Sequence, residues 1–212
     1  MRIHAFPASP RAFKVLAVAN HLGLDYELRI LDLTKGEQRQ PDFVAINPNM
    51  KMPALEDGDL KLWESNAIIQ YLAAKSGAAL WPADERARAD IARWMYWEST
   101  TWDPPCATLI FEHFVKGFFG GGGPDPAEVQ KAMDKFNFAA GVLDGHLKGR
   151  RFICGDAVTL ADFAIGSALT GAELAQLPLA PYAEIARWSA SLAEQPGWQT
   201  ARALQETPAA AA

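Results

Sequence analysis

Cysteine is almost missing from this chain, and several other features are missing outright. Only Cys106 and Cys154 stand in 212 residues, too few for a disulfide framework, so a reducing compartment such as the cytoplasm is the expected setting. These two and the four histidines (His4, His21, His113, His146) are scattered along the chain, and no metal-ligand spacing forms. No segment approaches the roughly 18–20 apolar residues of a membrane helix. The opening MRIHAFPASP also lacks the apolar core of a signal peptide. Positive charge is in short supply too. With 20 Lys and Arg against 25 Asp and Glu, the net charge is −5, which argues against general nucleic-acid binding. Internal repeats are not evident. What remains is ordinary for a soluble globular protein: half the residues are apolar and 21% are charged. The length allows one large domain or two small ones, each with a real core.

The first half alternates strand and helix patterns. Arg2 to Phe6 reads as a short strand. Ser9 then stands as an N-cap with Pro10 at the first helical position. Val15, Val18, Ala19 and Leu22 follow at the spacing of one helix face, and Gly23 ends that helix. Tyr26 to Leu33 is apolar on both faces, as a buried parallel strand would be. A looser stretch runs from Thr34 to Asn49. PALEDGDLKLW reads as two strands joined at Asp57-Gly58. Glu64 to Lys75 closes this half as a helix, giving the order β-α-β-α-β-β-α.

Strand signals stop at Ala83. Ala87, Ile91, Trp94, Met95 and Trp102 share a long helix face. Phe118 to Asp125, with four consecutive glycines, is a loop. Val129 to Leu147 keeps helical spacing, and Thr159-Leu160-Ala161-Asp162 is a capping-box pattern. Pro181 starts a final helix that Pro196-Gly197 stops, and the tail PAAAA is expected to fray. Together these features predict an α+β protein of two domains, with residues 1–76 and 85–212 joined by a linker at 77–84.

The stretch NPNMKMPALEDGDLKLWESNAI, Asn47 to Ile68, resembles the glutathione-binding core of the glutathione S-transferase family. The first half resembles that family's thioredoxin-like domain. The second, with GDAVTLADF at Gly155 to Phe163, resembles its all-helical C-terminal domain. PASPRAFKV followed by KGEQRQ is most similar to the serine-type members, theta- or phi-like, or their bacterial relatives. The resemblance implies that Met52–Pro53 is a cis peptide, which would turn the Met52 amide and carbonyl toward an extended peptide such as the cysteinyl backbone of glutathione. The alternative is that Pro53 merely begins an edge strand. It also implies that Gln38, Arg39 and Lys51 hold the glycyl carboxylate, with Gln38 in place of the family's frequent histidine. Solvated surface charge is the other reading of Arg39 and Lys51.

Glu64-Ser65 opens a helix, where backbone amides and the Ser65 hydroxyl suit a carboxylate and Glu64 suits an adjacent ammonium. That pair of charges matches the γ-glutamyl end of glutathione, although serine and acidic residues also cap helices for stability alone. Ser9 stands where thioredoxin-like redox proteins carry Cys-x-x-Cys. Both thiols are absent and Phe6 has no hydroxyl, which leaves Ser9 as the catalytic candidate, or as a simple cap. The resemblance implies a homodimeric detoxification enzyme joining the glutathione thiolate to an electrophilic, mostly apolar substrate. Glutathione would be co-substrate, with no metal or other cofactor. A glutathione-dependent reductase or peroxidase, and a non-catalytic interaction module, are the alternatives.

Overall fold

The computed structural model describes residues 1–77 and 79–206. The tail read above as frayed lies outside them. The chain divides into two compact units.

The first unit holds residues 1–82 together with the segment from Glu194 onward. Its elements are β1 (Arg2–Ala5), α1 (Pro10–His21), β2 (Glu27–Ile30), α2 (Pro41–Val44), β3 (Ala54–Asp57), β4 (Leu60–Trp63) and α3 (Ser65–Ser76). The strands form one sheet in the order β2-β1-β3-β4. β1 runs parallel to β2 and antiparallel to β3, and β3 pairs antiparallel with β4. The hairpin turn lies where Asp57-Gly58 predicts it, with Gly58 at φ 63° in the left-handed region that favours glycine. Ile3 at the sheet centre, opposite Leu28 and Leu55, is fully buried.

Three readings change. β2 is parallel as expected, but it is an edge strand with Glu27, Arg29 and Ile30 exposed. An apolar run that looks buried on both faces is sheltered on one side of the ladder only. The loose stretch contains a 3₁₀ turn at Glu37–Arg39 and the short helix α2, whose Phe43 packs with Leu31 and Ala54. Finally, Pro196-Gly197 opens a helix rather than only stopping one. Pro196–Glu206 belongs to the first unit, where the Trp198 ring meets the Phe13 ring edge-on at 4.7 Å. That close approach needs glycine at 197, since a Cβ there would lie 2.3 Å from the His21 amide nitrogen and 2.4 Å from the Ala17 carbonyl oxygen.

The second unit, Ala83–Ala193, is helical. α4 (Glu85–Trp97), α5 (Asp103–Ile110) and α6 (Lys116–Phe118) run on from one another through π-helical turns at Glu98–Trp102 and Phe111–Val115. After the glycine loop come α7 (Pro126–Leu147), α8 (Leu160–Gly166) and α9 (Ala183–Ala193); Pro196–Glu206, in the first unit, is α10. Trp94 and Trp102 are buried, as expected of core tryptophans, and the Trp102 indole donates to the Ile165 carbonyl at 2.9 Å. The capping box at Thr159 is present. Asp162 is fully buried and accepts from the Thr159 and Ile153 amides, the Thr159 hydroxyl and the Trp188 indole. Burial pushes its carboxyl above the usual range while these donors pull it down. Among the described residues no helix is long and apolar enough to cross a membrane.

Candidate functional site

The sheet register brings the sequence-predicted residues toward one end of the first unit. Ala5 pairs with Ile30, His4 with Ala54, and Ala54 with Trp63. The C-terminal ends of β1, β2 and β4 therefore lie beside the N-terminal end of β3. Ser9 follows β1, Gln38 and Arg39 follow β2, Met52-Pro53 precedes β3, and Glu64-Ser65 follows β4. Four separate segments thus leave the sheet at the same edge, as sites in sheet proteins commonly do.

Ser9 is half-buried, with the extended backbone of an N-cap at φ −75° and ψ 127°, and Pro10 opens α1 behind it. Its amide donates to the Phe6 carbonyl and its carbonyl accepts from the Phe13 amide, both at 2.8 Å. The hydroxyl makes no capping bond. A side chain in the position and conformation of a cap, yet not capping, leaves its oxygen as well as its hydrogen available to another partner.

Met52–Pro53 is cis. The Met52 side chain packs on the Leu31, Phe43 and Ala54 cluster. The loop before it is held by Asn47, which is buried and donates to the Lys51 carbonyl at 2.5 Å while accepting from the Asn49 amide at 3.0 Å. Lys51 is exposed.

The loop carrying Gln38 and Arg39 is tied back to β2. The Glu37 carboxylate accepts from the Arg29 guanidinium at 3.1 Å and from the Asp32 amide at 3.0 Å. The Thr34 hydroxyl and then Lys35 hold the Asp32 carboxyl down at about 2. Arg39 is exposed, whereas the Gln38 side-chain oxygen is buried without a hydrogen-bond partner among the described residues. A buried amide oxygen left unpaired is costly in a finished fold and marks a place where a donor is wanted.

Glu64 is exposed and lies at φ 72°, ψ 112°, a conformation that non-glycine residues avoid. Such strain, typically about 1–3 kcal/mol, concentrates where a side chain or amide must face a ligand. Ser65 is buried at the first position of α3, and its hydroxyl oxygen accepts from the Lys14 ammonium at 3.3 Å.

Sequence reasoning missed two residues of this neighbourhood. Asn47 belongs to the NP step, where nothing local signals that it holds the loop. Lys14 carried a clearer signal, as the one charge in the apolar run AFKVLAVA of α1.

Comparison with known proteins assigns the chain to a family. Residues 1–74 match the N-terminal domain of glutathione S-transferase, and residues 104–196 match its C-terminal domain. Glutathione S-transferase 3 of Zea mays is 37% identical over 94% of this chain and 91% of its own. The chain belongs to the glutathione S-transferase family. A glutathione S-transferase of Hyoscyamus muticus is 33% identical, covering 95% of this chain and 97% of its own. Among solved structures, glutathione S-transferase III in its apo form superposes with a TM-score of 0.85 at 34% identity, covering 98% of this chain and 97% of its own. The chain is a glutathione transferase with a thioredoxin-like N-terminal domain and a helical C-terminal one, and glutathione is its co-substrate. The serine-type, theta- or phi-like expectation fits these plant relatives. Neither a reductase or peroxidase nor a non-catalytic module is favoured by relatives that carry the transferase name.

Proposed function

We propose that the enzyme binds glutathione along the shared sheet edge and activates its thiol with Ser9. The free Ser9 hydroxyl carries this reading. In it, Glu64 and Ser65 take the ammonium and carboxylate of the γ-glutamyl end, the Met52 backbone pairs with the cysteinyl part, and Gln38, Arg39 and Lys51 hold the glycyl carboxylate. The strained backbone of Glu64 supports the γ-glutamyl end, and the exposed cations Arg39 and Lys51 support the glycyl end.

Ser9 donates its hydrogen to the glutathione sulfur and stabilises the thiolate after the thiol proton leaves to water. A hydrogen bond to a charged acceptor is worth about 1.5–3 kcal/mol, or roughly one to two pKa units. That would bring a thiol of pKa near ~8.5 close to neutrality. The thiolate then attacks an electrophilic carbon, and as the C–S bond forms either a leaving group departs with its bonding pair or, at an activated double bond, the π pair shifts onto the electron-withdrawing group and is protonated from water. Exposed Phe114, Phe118 and Phe119, in ring contact before the glycine run, support a mostly apolar second substrate. Tyr96 and Phe138, each 70% exposed in the second unit, support a homodimer. The two unbridged cysteines support action in the cytoplasm; detoxification is the role these properties suit.

Calorimetric titration of glutathione, followed by a panel of electrophiles and peroxides, tests the reading. Binding with conjugation is the expected result. Peroxide turnover without conjugation would overturn it.

A further inference from the structure

α1 buries eight consecutive residues, Ala12 to Ala19, and one of them is charged. Lys14 is 1% exposed. A buried ammonium is tolerated only where acceptors meet it. Lys14 Nζ donates to Asn66 Oδ1 at 2.9 Å and to Ser65 Oγ at 3.3 Å. Both acceptors lie in the first turn of α3, so one side chain joins the helix that begins behind Ser9 to the helix that begins at Ser65.

The chemistry of the Ser65 contact is one-directional. An ammonium has donors and no acceptor, so Ser65 can only accept from Lys14, and its own hydrogen must point elsewhere. Donation onto a hydroxyl oxygen polarises its O–H and makes it a stronger donor in turn. A positive charge beneath that hydroxyl also favours an anion above it, adding to the α3 backbone amides.

We propose that Lys14 is a positioning residue for glutathione binding. It fixes Ser65 as a donor to the γ-glutamyl carboxylate and supplies buried positive charge on the side of Ser65 away from the ligand. This rests on the placement of glutathione at Ser65 under Proposed function. Lys14 does not touch the reacting sulfur, so its effect falls on glutathione affinity more than on turnover.

The experiment compares Lys14→Met, Lys14→Arg, Ser65→Ala and Lys14→Met with Ser65→Ala combined. Glutathione Kd, KM, kcat and melting temperature are measured for each. Lys14→Met is expected to weaken glutathione about tenfold, seen in Kd and KM with little of the loss in kcat. Lys14→Arg, which keeps charge and donors, restores most of it. The double variant should lose little more than Ser65→Ala alone, because Lys14 acts through that hydroxyl. If Lys14→Met does not fold, Lys14→Gln replaces it, with the same split expected in weaker form. A lowered melting temperature with unchanged Kd would show that Lys14 only supports the fold, and fully additive losses would show that it does not act through Ser65. Both results overturn the proposal. An unchanged Kd in folded Ser65→Ala removes the placement of glutathione first and the role of Lys14 with it, whereas a weakened Ser65→Ala beside an unaffected Lys14→Met and Lys14→Gln overturns this inference alone.

Discussion

In the helical unit, Asp84 accepts from the Ala87 amide at the start of α4 and Asp125 from the Ala127 amide at the start of α7. At α8, Asp162 reaches back to the Thr159 amide. In the sheet-containing unit, Ser9 and Glu64 stand at the equivalent positions of α1 and α3, and neither side chain caps its helix. A capped start satisfies its own amides and contributes about 1 kcal/mol to stability. An uncapped start leaves amides, a hydroxyl or a carboxylate facing outward. The difference separates helix starts that hold the fold together from those that face the proposed glutathione site.

The sharpest way to break that comparison is at Asp162. Asp162→Ala leaves the Ile153 amide and Trp188 indole buried without their acceptor, and the expected loss is about 3 kcal/mol or more. Denaturant unfolding checks it, and a loss near zero would deny the capping argument for this unit. Ser9→Ala should behave in the opposite way. The apparent pKa of the pH–rate profile should rise by about one to two units. Stability should move by less than about 0.5 kcal/mol, since no capping bond is lost. An unshifted profile removes Ser9 from the mechanism. Asp125→Ala, at a true cap, should cost about 1 kcal/mol while glutathione affinity, measured by calorimetry, stays at the wild-type value. At Glu64 a small gain in stability is expected instead of a loss. Glycine tolerates φ 72°, so Glu64→Gly should gain about 0.5 kcal/mol after its entropic cost, yet bind glutathione more weakly. A variant that loses both stability and affinity would mean that the backbone of Glu64 is not strained.

Much of this was legible in the chain because local rules and tertiary structure agree. Ser9-Pro10 starts a helix, Gly58 turns a hairpin, and Thr159 to Asp162 forms a capping box, each by chemistry contained within a few residues. The readings that failed depend on distant partners. Nothing within Tyr26 to Leu33 says that β2 has a neighbour on one side only. Nothing near Pro196 says that α1 offers it a groove, and the fitted contact at Gly197 appears only when both helices are in place. The candidate site divides in the same way. Ser9, Met52-Pro53 and Glu64-Ser65 are picked out by the resemblance of their stretches to the family, since each residue alone is equally suited to a cap or an edge strand. Lys14 lies 51 residues from the hydroxyl it meets, and periodicity assigns its position to the apolar face.

The placement of α10 has a consequence for the order in which the protein is made. On a ribosome the whole sheet, α1 and α3 emerge early, but the flank of α1 at Phe13, Ala17 and His21 meets its cover only when Trp198 and Gly197 have been synthesised. Until then the first unit carries an open apolar stripe through the production of more than a hundred further residues, the whole of Ala83–Ala193 among them. The unit whose translation starts first is therefore also the one whose translation ends last, so its packing is complete only when the C-terminal segment has been made.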